Sequence, residues 1–204
     1  MSDTPQPTAE PEAFSRLRAF VSAGAIRPET TLTEIPSPSR IAPHSLALAA
    51  DVSGVAHGVD SDLGTGRFIA LYDPREPDEW NGPFRVVSFA QAPLEPEIGV
   101  DEFVADVTWS WLVDALSSHG AGYSHASGTA TKIISRGYGE LSAQGDGAQL
   151  ELRASWTPTD DDLVPHVEAW QDIVAMLAGL PPVSDGVTLL GPRRLAKETP
   201  EVIP

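Results

Sequence analysis

The sequence predicts an α+β domain built from a mainly antiparallel sheet with helices packed on it. Three observations carry that expectation. Short alternating or apolar runs with hairpin-type spacing mark strands, at 45–52, 67–72, 84–89 and 149–156. One long run, Asp101 to Ser118, has a helical polar stripe. Turn residues separate consecutive strands too closely for the crossover helices of a parallel sheet.

The elements follow in chain order as αβββ(β)αββα. Residues 1–10 are polar and proline-rich and read as a disordered tail. A helix is expected from Pro11 to Ser22, with Phe14, Leu17, Ala19 and Val21 beside Phe20 as its apolar stripe and Gly24 as its stop. A short strand, Thr30 to Ile35, comes next, followed by an irregular stretch bounded by Pro36, Pro38 and Pro43. Leu46, Leu48, Ala50 and Val52 alternate through a second strand. Arg67–Tyr72 is nearly all apolar and so reads as a central strand, and Phe84–Phe89 as another. Between the last two, Asp73-Pro74, Glu76-Pro77 and Asn81-Gly82 predict a tight loop.

The helix over Asp101–Ser118 carries Glu102, Asp106, Ser110 and Asp114 on one line, with apolar or small residues elsewhere, as expected of a helix lying across a sheet. Asp101 is placed to cap it and Gly120 to end it. Trp109 and Trp111 flank Ser110 at about 100° to either side of the stripe. A hairpin is expected from Thr129–Tyr138 and Gln149–Trp156, in which Leu150, Leu152, Ala154 and Trp156 share one face and Gln149, Glu151, Arg153 and Ser155 the other. A last helix opens at Asp161 or Asp162, buries Leu163, Val167, Trp170, Val174 and Leu177, and stops at Gly179 and Pro181-Pro182. The expected organisation is one domain over 11–183, with a flexible tail over 184–204.

Composition narrows the function classes. Apolar residues make up 41% of the 204, enough for a core without metal or disulfide. No run is long enough for a membrane helix, and no basic-then-apolar leader opens the chain. There is no cysteine, which excludes thiolate chemistry and disulfides and agrees with a cytoplasmic location. The net charge of −16, from 13 basic and 29 acidic residues, argues against nucleic-acid binding.

The chemical signals are sparse. No cofactor motif occurs: Gly64-Thr65-Gly66 enters a strand rather than opening a helix, so it forms no phosphate loop. Gly122-Tyr123-Ser124-His125-Ala126 lacks the strand-to-helix context of a nucleophile elbow and reads as a turn feeding the hairpin. The weak metal candidate is His57, Asp60 and Asp62 on one loop, the basis of a small-molecule or metal sensor. An enzyme of unrecognised class, with a pocket near Asp73–Pro83 or around Arg153 and Glu151, is a second alternative. The favoured expectation is a non-enzymatic interaction or regulatory module that binds a protein partner or a second copy through Trp109, Trp111 and Arg153, because tryptophan and arginine are enriched at interface hot spots.

Several phrases also occur together in order. They are Arg27-Pro28-Glu29, Arg40-Ile41-Ala42-Pro43, Leu71-Tyr72-Asp73-Pro74, Trp80-Asn81-Gly82-Pro83-Phe84-Arg85, Val107-Thr108-Trp109-Ser110-Trp111-Leu112, Ser127-Gly128-Thr129, Arg153-Ala154-Ser155-Trp156-Thr157-Pro158 and Ala178-Gly179-Leu180-Pro181-Pro182. Over residues 12 to 183 the chain thereby resembles the actinobacterial family catalogued as domain of unknown function 3000. The resemblance implies a cytoplasmic protein and supplies no catalytic or ligand residues.

Overall fold

Alternation of side chains along extended segments builds a single six-stranded sheet in the computed structural model, which describes residues 9–181 apart from 25–26, 39, 54–61, 100 and 145–146. The strands are β1 (Thr30–Ile35), β2 (His44–Ser53), β3 (Asp62–Tyr72), β4 (Phe84–Leu94), β5 (Tyr123–Ser135) and β6 (Gly147–Pro158). Their spatial order is β1-β2-β3-β4-β6-β5, and every neighbouring pair is antiparallel. The helices are α1 (Glu12–Ala23), α2 (Pro96–Gly99), α3 (Val104–Ser118) and α4 (Val164–Leu177). The α+β class and the predicted element order hold. Most of the expected tails, 1–8 and 184–204, lie outside the described residues.

One face of the sheet is covered by helices. Leu48, Phe68, Ser88 and Ala154 stand side by side across β2, β3, β4 and β6, and all are buried. The centre of that core is aromatic. Phe68 lies with its ring centroid 5.5 Å from that of Trp170 and 6.4 Å from that of Trp156. Trp156 and Trp170 are fully buried, and the Trp170 indole N–H donates to the Phe89 carbonyl at 3.2 Å, so its polar atom has a partner inside the core. The close approach of α4 to β3 requires Gly66: a methyl group there would lie 2.6 Å from Val174 Cγ2 and 2.8 Å from Trp170 Cζ2.

Several predicted boundaries move. In α1, Ala13, Phe14 and Leu17 are buried, whereas Ala19 faces solvent. Helix α3 starts at Val104 rather than Asp101, because the Asp101 carboxylate accepts the Phe103 N–H at 2.9 Å in a turn just outside the helix. It ends as expected at Ser118, and just past it the φ of +66° at Gly120 allows the Ala121 N–H to reach back to the Leu116 carbonyl. Helix α4 starts at Val164, and the Asp162 carboxylate accepts the Val164 N–H at 3.2 Å. Strand β5 starts at Tyr123, six residues before the expected Thr129, and stops at Ser135 instead of Tyr138. The segment expected as a feeding turn is therefore strand. Tyr123 and Ser124 pair with Pro158 and Thr157, and the irregularity is a bulge before Ser127, where His125 has a φ of +51°.

Candidate binding face on the open side of the sheet

The second face of the sheet carries the alternate residues of each strand. Near β2 it is sealed: Ala47, Ala49 and Leu71 are buried. Towards β4, β6 and β5 it opens, and Val87 is 39% exposed. In the middle of this open area, Phe89 on β4 stands directly opposite Arg153 on β6. The Arg153 guanidinium lies over the Phe89 ring, 5.5 Å from its centroid, and its Nη2 donates to Glu151 Oε2 at 2.9 Å. Because the Arg153 side chain is itself 64% exposed, its stacking on the half-buried ring contributes about 0.5–1 kcal/mol and its ion pair with Glu151 little more. The arrangement therefore fixes a side chain in place more than it stabilises the fold.

Two shallow depressions adjoin this stack. One, of about 250 Å³, is lined by Arg67, Ile69, Val87, Phe89 and Arg153. The other, of about 400 Å³, is lined by Val87, Ser127, Thr129, Arg153 and Ser155. Arg85 closes one end. Its guanidinium donates to Ser155 Oγ at 2.6 Å, to Thr157 Oγ1 at 3.0 Å and to the His125 carbonyl at 3.0 Å, tying β4 to β6 and β5. Burial pushes its pKa down from the ordinary arginine value. Thr157 Oγ1 in turn donates to the Trp80 carbonyl, which anchors the Asp73–Pro83 loop to the sheet. Within that loop, the Asp73 carboxylate accepts from Arg75, whose guanidinium holds it below the usual carboxylate range.

The charge of this face differs from that of the whole chain. Elsewhere arginines meet carboxylates: Arg16 with Asp161, Arg18 with Glu10 and Glu34, Arg27 with Asp172. On the open face Arg153 also meets Glu151, but Arg67 donates to the Gly66 carbonyl at 2.8 Å, and Arg85 to hydroxyls and a carbonyl. Among the outward-facing strand residues whose side chains are described, Arg67, Arg85 and Arg153 stand beside Asp51 and Glu151.

The three residues expected to bind a partner are not brought together. Trp109 and Trp111 lie on α3, on the helical side, half-buried against the core, while Arg153 points from the opposite face. Trp109 sits over β5: a methyl on Gly128 would be 2.7 Å from its Cζ3. The polar stripe Glu102, Asp106, Ser110 and Asp114 faces solvent as read. His57 and Asp60 fall outside the described residues. Asp62 opens β3, and its side chain is likewise not described. Among the described residues no group of three His, Asp or Glu is placed to hold a metal ion, and no helix is long and apolar enough to cross a membrane.

Sequence reasoning also missed a buried charge cluster. Arg27 Nη1 donates to Asp172 Oδ1 at 3.0 Å, and Asp172 Oδ2 lies 2.8 Å from His119 Nε2. His119 Nδ1 is 3.4 Å from Glu168 Oε2. The cluster ties the residue that follows α3 to α4 and to the entry of β1. Its members are up to 145 residues apart, and no local motif signals it.

Taken together, these features define an α+β protein with a one-sided helical layer and a small arginine-aromatic patch on an open sheet face. The chain belongs to the family described as protein of unknown function (DUF3000), whose profile matches residues 10–188. No curated protein and no solved structure matches it significantly.

Proposed function

We propose that this is a cytoplasmic, non-enzymatic interaction or regulatory module that binds a protein partner through the open face of its sheet. The observation that carries the reading is the Arg153 guanidinium stacked on Phe89 between two shallow depressions. A shallow arginine-aromatic patch with an apolar floor has the make-up of an interface hot spot, where a few such side chains supply most of the binding energy. The arginines of the patch suit an acidic, partly apolar protein surface, while the net charge of −16 on the whole chain weighs against nucleic acid.

The test is affinity capture from the native host with the wild-type chain and with Arg153→Glu and Phe89→Ala as controls. A partner retained by the wild type and lost by both folded variants supports the reading. The same proteins captured by all three would remove the open face as the interface.

A further inference from the structure

The larger depression on the open face is bordered by small hydroxylated residues. Ser155 on β6 stands opposite Ser127 on β5, and two residues further along Arg153 stands opposite Thr129. These three hydroxyls and the Arg153 guanidinium are among the groups lining a space of about 400 Å³. Arg85 reaches that space through Ser155, because its Nη2 donates to Ser155 Oγ at 2.6 Å. A guanidinium can only donate, so Ser155 Oγ accepts and its own proton is left to be given elsewhere. Ser127 Oγ lies 3.4 Å from it, beyond the roughly 2.5–3.0 Å of a well-formed O–H···O bond, so neither serine proton is committed to the other.

Positive charge here is only partly answered. Arg85 is half-buried, yet among the described residues it meets two hydroxyls and a carbonyl and no carboxylate. Arg153 meets Glu151 through Nη2, which leaves other N–H groups of its five to donate. Glu151 sits four residues from Ser155 along β6, about 13 Å for an extended chain, so its charge is felt weakly over the serines. The net charge of −16 is spread over the whole chain, and most of it lies more than a Debye length of about 8 Å from any one site. The groups inside the depression therefore decide what it attracts.

Those groups are donors set on two strands. A carboxylate offers them two oxygens in one plane. A phosphate monoester offers three strong acceptor oxygens and about two negative charges at neutral pH, which suits several hydroxyls together with guanidinium groups. Val87, partly exposed beside the serines, gives apolar contact to whatever carries the group. We propose that this depression holds a phosphate monoester on a side chain of the protein partner, with Ser127, Thr129 and Ser155 donating to its oxygens and Arg153 and Arg85 supplying the opposing charge. The proposal rests on the open-face reading for the protein that carries the group, and the site itself is tested without that protein.

The test is an NMR titration of the isotope-labelled full chain with N-acetyl-O-phosphoserine amide, and with N-acetyl-aspartate amide as the carboxylate probe. The phosphoserine probe should shift the backbone amides of Ser127, Thr129 and Ser155 and saturate at about a tenfold lower concentration than the aspartate probe, the worth of one further charge-assisted hydrogen bond. Ser127 and Thr129 are exposed, so the double variant Ser127→Ala with Thr129→Val keeps the core and should weaken binding of the phosphoserine probe by about tenfold. Thr131→Val, on the same strand but outside the depression, should bind like the wild type. Equal saturation by the two probes, an unaltered response in the double variant, or amides that do not move would overturn the proposal. If the phosphoserine probe fails while Arg153→Glu still loses a captured partner, the open face stands and the phosphate site falls. A probe that binds a chain whose captured proteins are the same in all three forms leaves the phosphate site and removes the protein interface.

Discussion

The indole N–H of Trp156 donates to Nδ1 of His166 at 3.0 Å, and both side chains are sealed from solvent. Because an indole nitrogen can only donate, Nδ1 must accept, so the ring is neutral and carries its proton on Nε2. Burial pushes its pKa down from 6.5 to about 4, against the weaker opposing pull of Asp160 and Asp162.

Stability should therefore depend on pH through this ring. Above pH 6.5 the ring is neutral in both states, and its contribution is fully present. Between 6.5 and about 4 the unfolded chain takes up a proton that the folded chain refuses, so stability is lost as pH falls. The full loss is on the order of 3 kcal/mol. Denaturant titrations of wild type and His166→Leu should show the stability difference between them shrinking from pH 7.5 to pH 4. A pH-independent difference would mean that the folded protein protonates this ring freely.

The clamp around Asp172 makes a second prediction. Arg27 is 3% exposed and its guanidinium faces Asp172 Oδ1 and the Pro181 carbonyl. Asp172→Ala leaves that charge buried beside fewer acceptors and should cost about 3–5 kcal/mol. Asp172→Asn keeps an oxygen for Arg27 and should cost clearly less. Equal losses in the two variants, measured by chemical denaturation, would mean that the site relaxes around the missing charge.

What the sequence made legible was whatever depends on local period. β1 is read with its true ends, because prolines and a β-branched run bound it. The expected residues Leu163, Val167, Trp170, Val174 and Leu177 are all buried, while His166, Gln171 and Asp172, buried on the same helix, lie outside the apolar period. The start of β5 was hidden because Tyr123–Ala126 has the composition of a turn and is made strand by its pairing with β6. Arg153 was legible as an outward residue from the alternation of β6. Its partner Phe89 was not, because only the register of β4 with β6 places the two opposite each other. The grouping of Arg153 with Trp109 and Trp111 by residue type ignored the sheet that stands between them.

The glycines of β3 show how the core reaches the open face. A methyl on Gly66 would meet Val174 and Trp170 below 3 Å, and Trp170 cannot retreat easily, because its N–H is held by the Phe89 carbonyl and its ring packs on Phe68. Gly66→Ala should therefore cost about 1–3 kcal/mol through overpacking. Gly147→Ala, where an added methyl meets nothing within 4 Å, should be close to neutral. The Phe89 that anchors Trp170 through its backbone also supports Arg153 through its ring, so relief of the clash must move either α4 or β4. Tryptophan fluorescence of Gly66→Ala should shift with the loss of stability. If the variant melts like the wild type with an unchanged spectrum, the α4–β3 contact has room that the geometry denies.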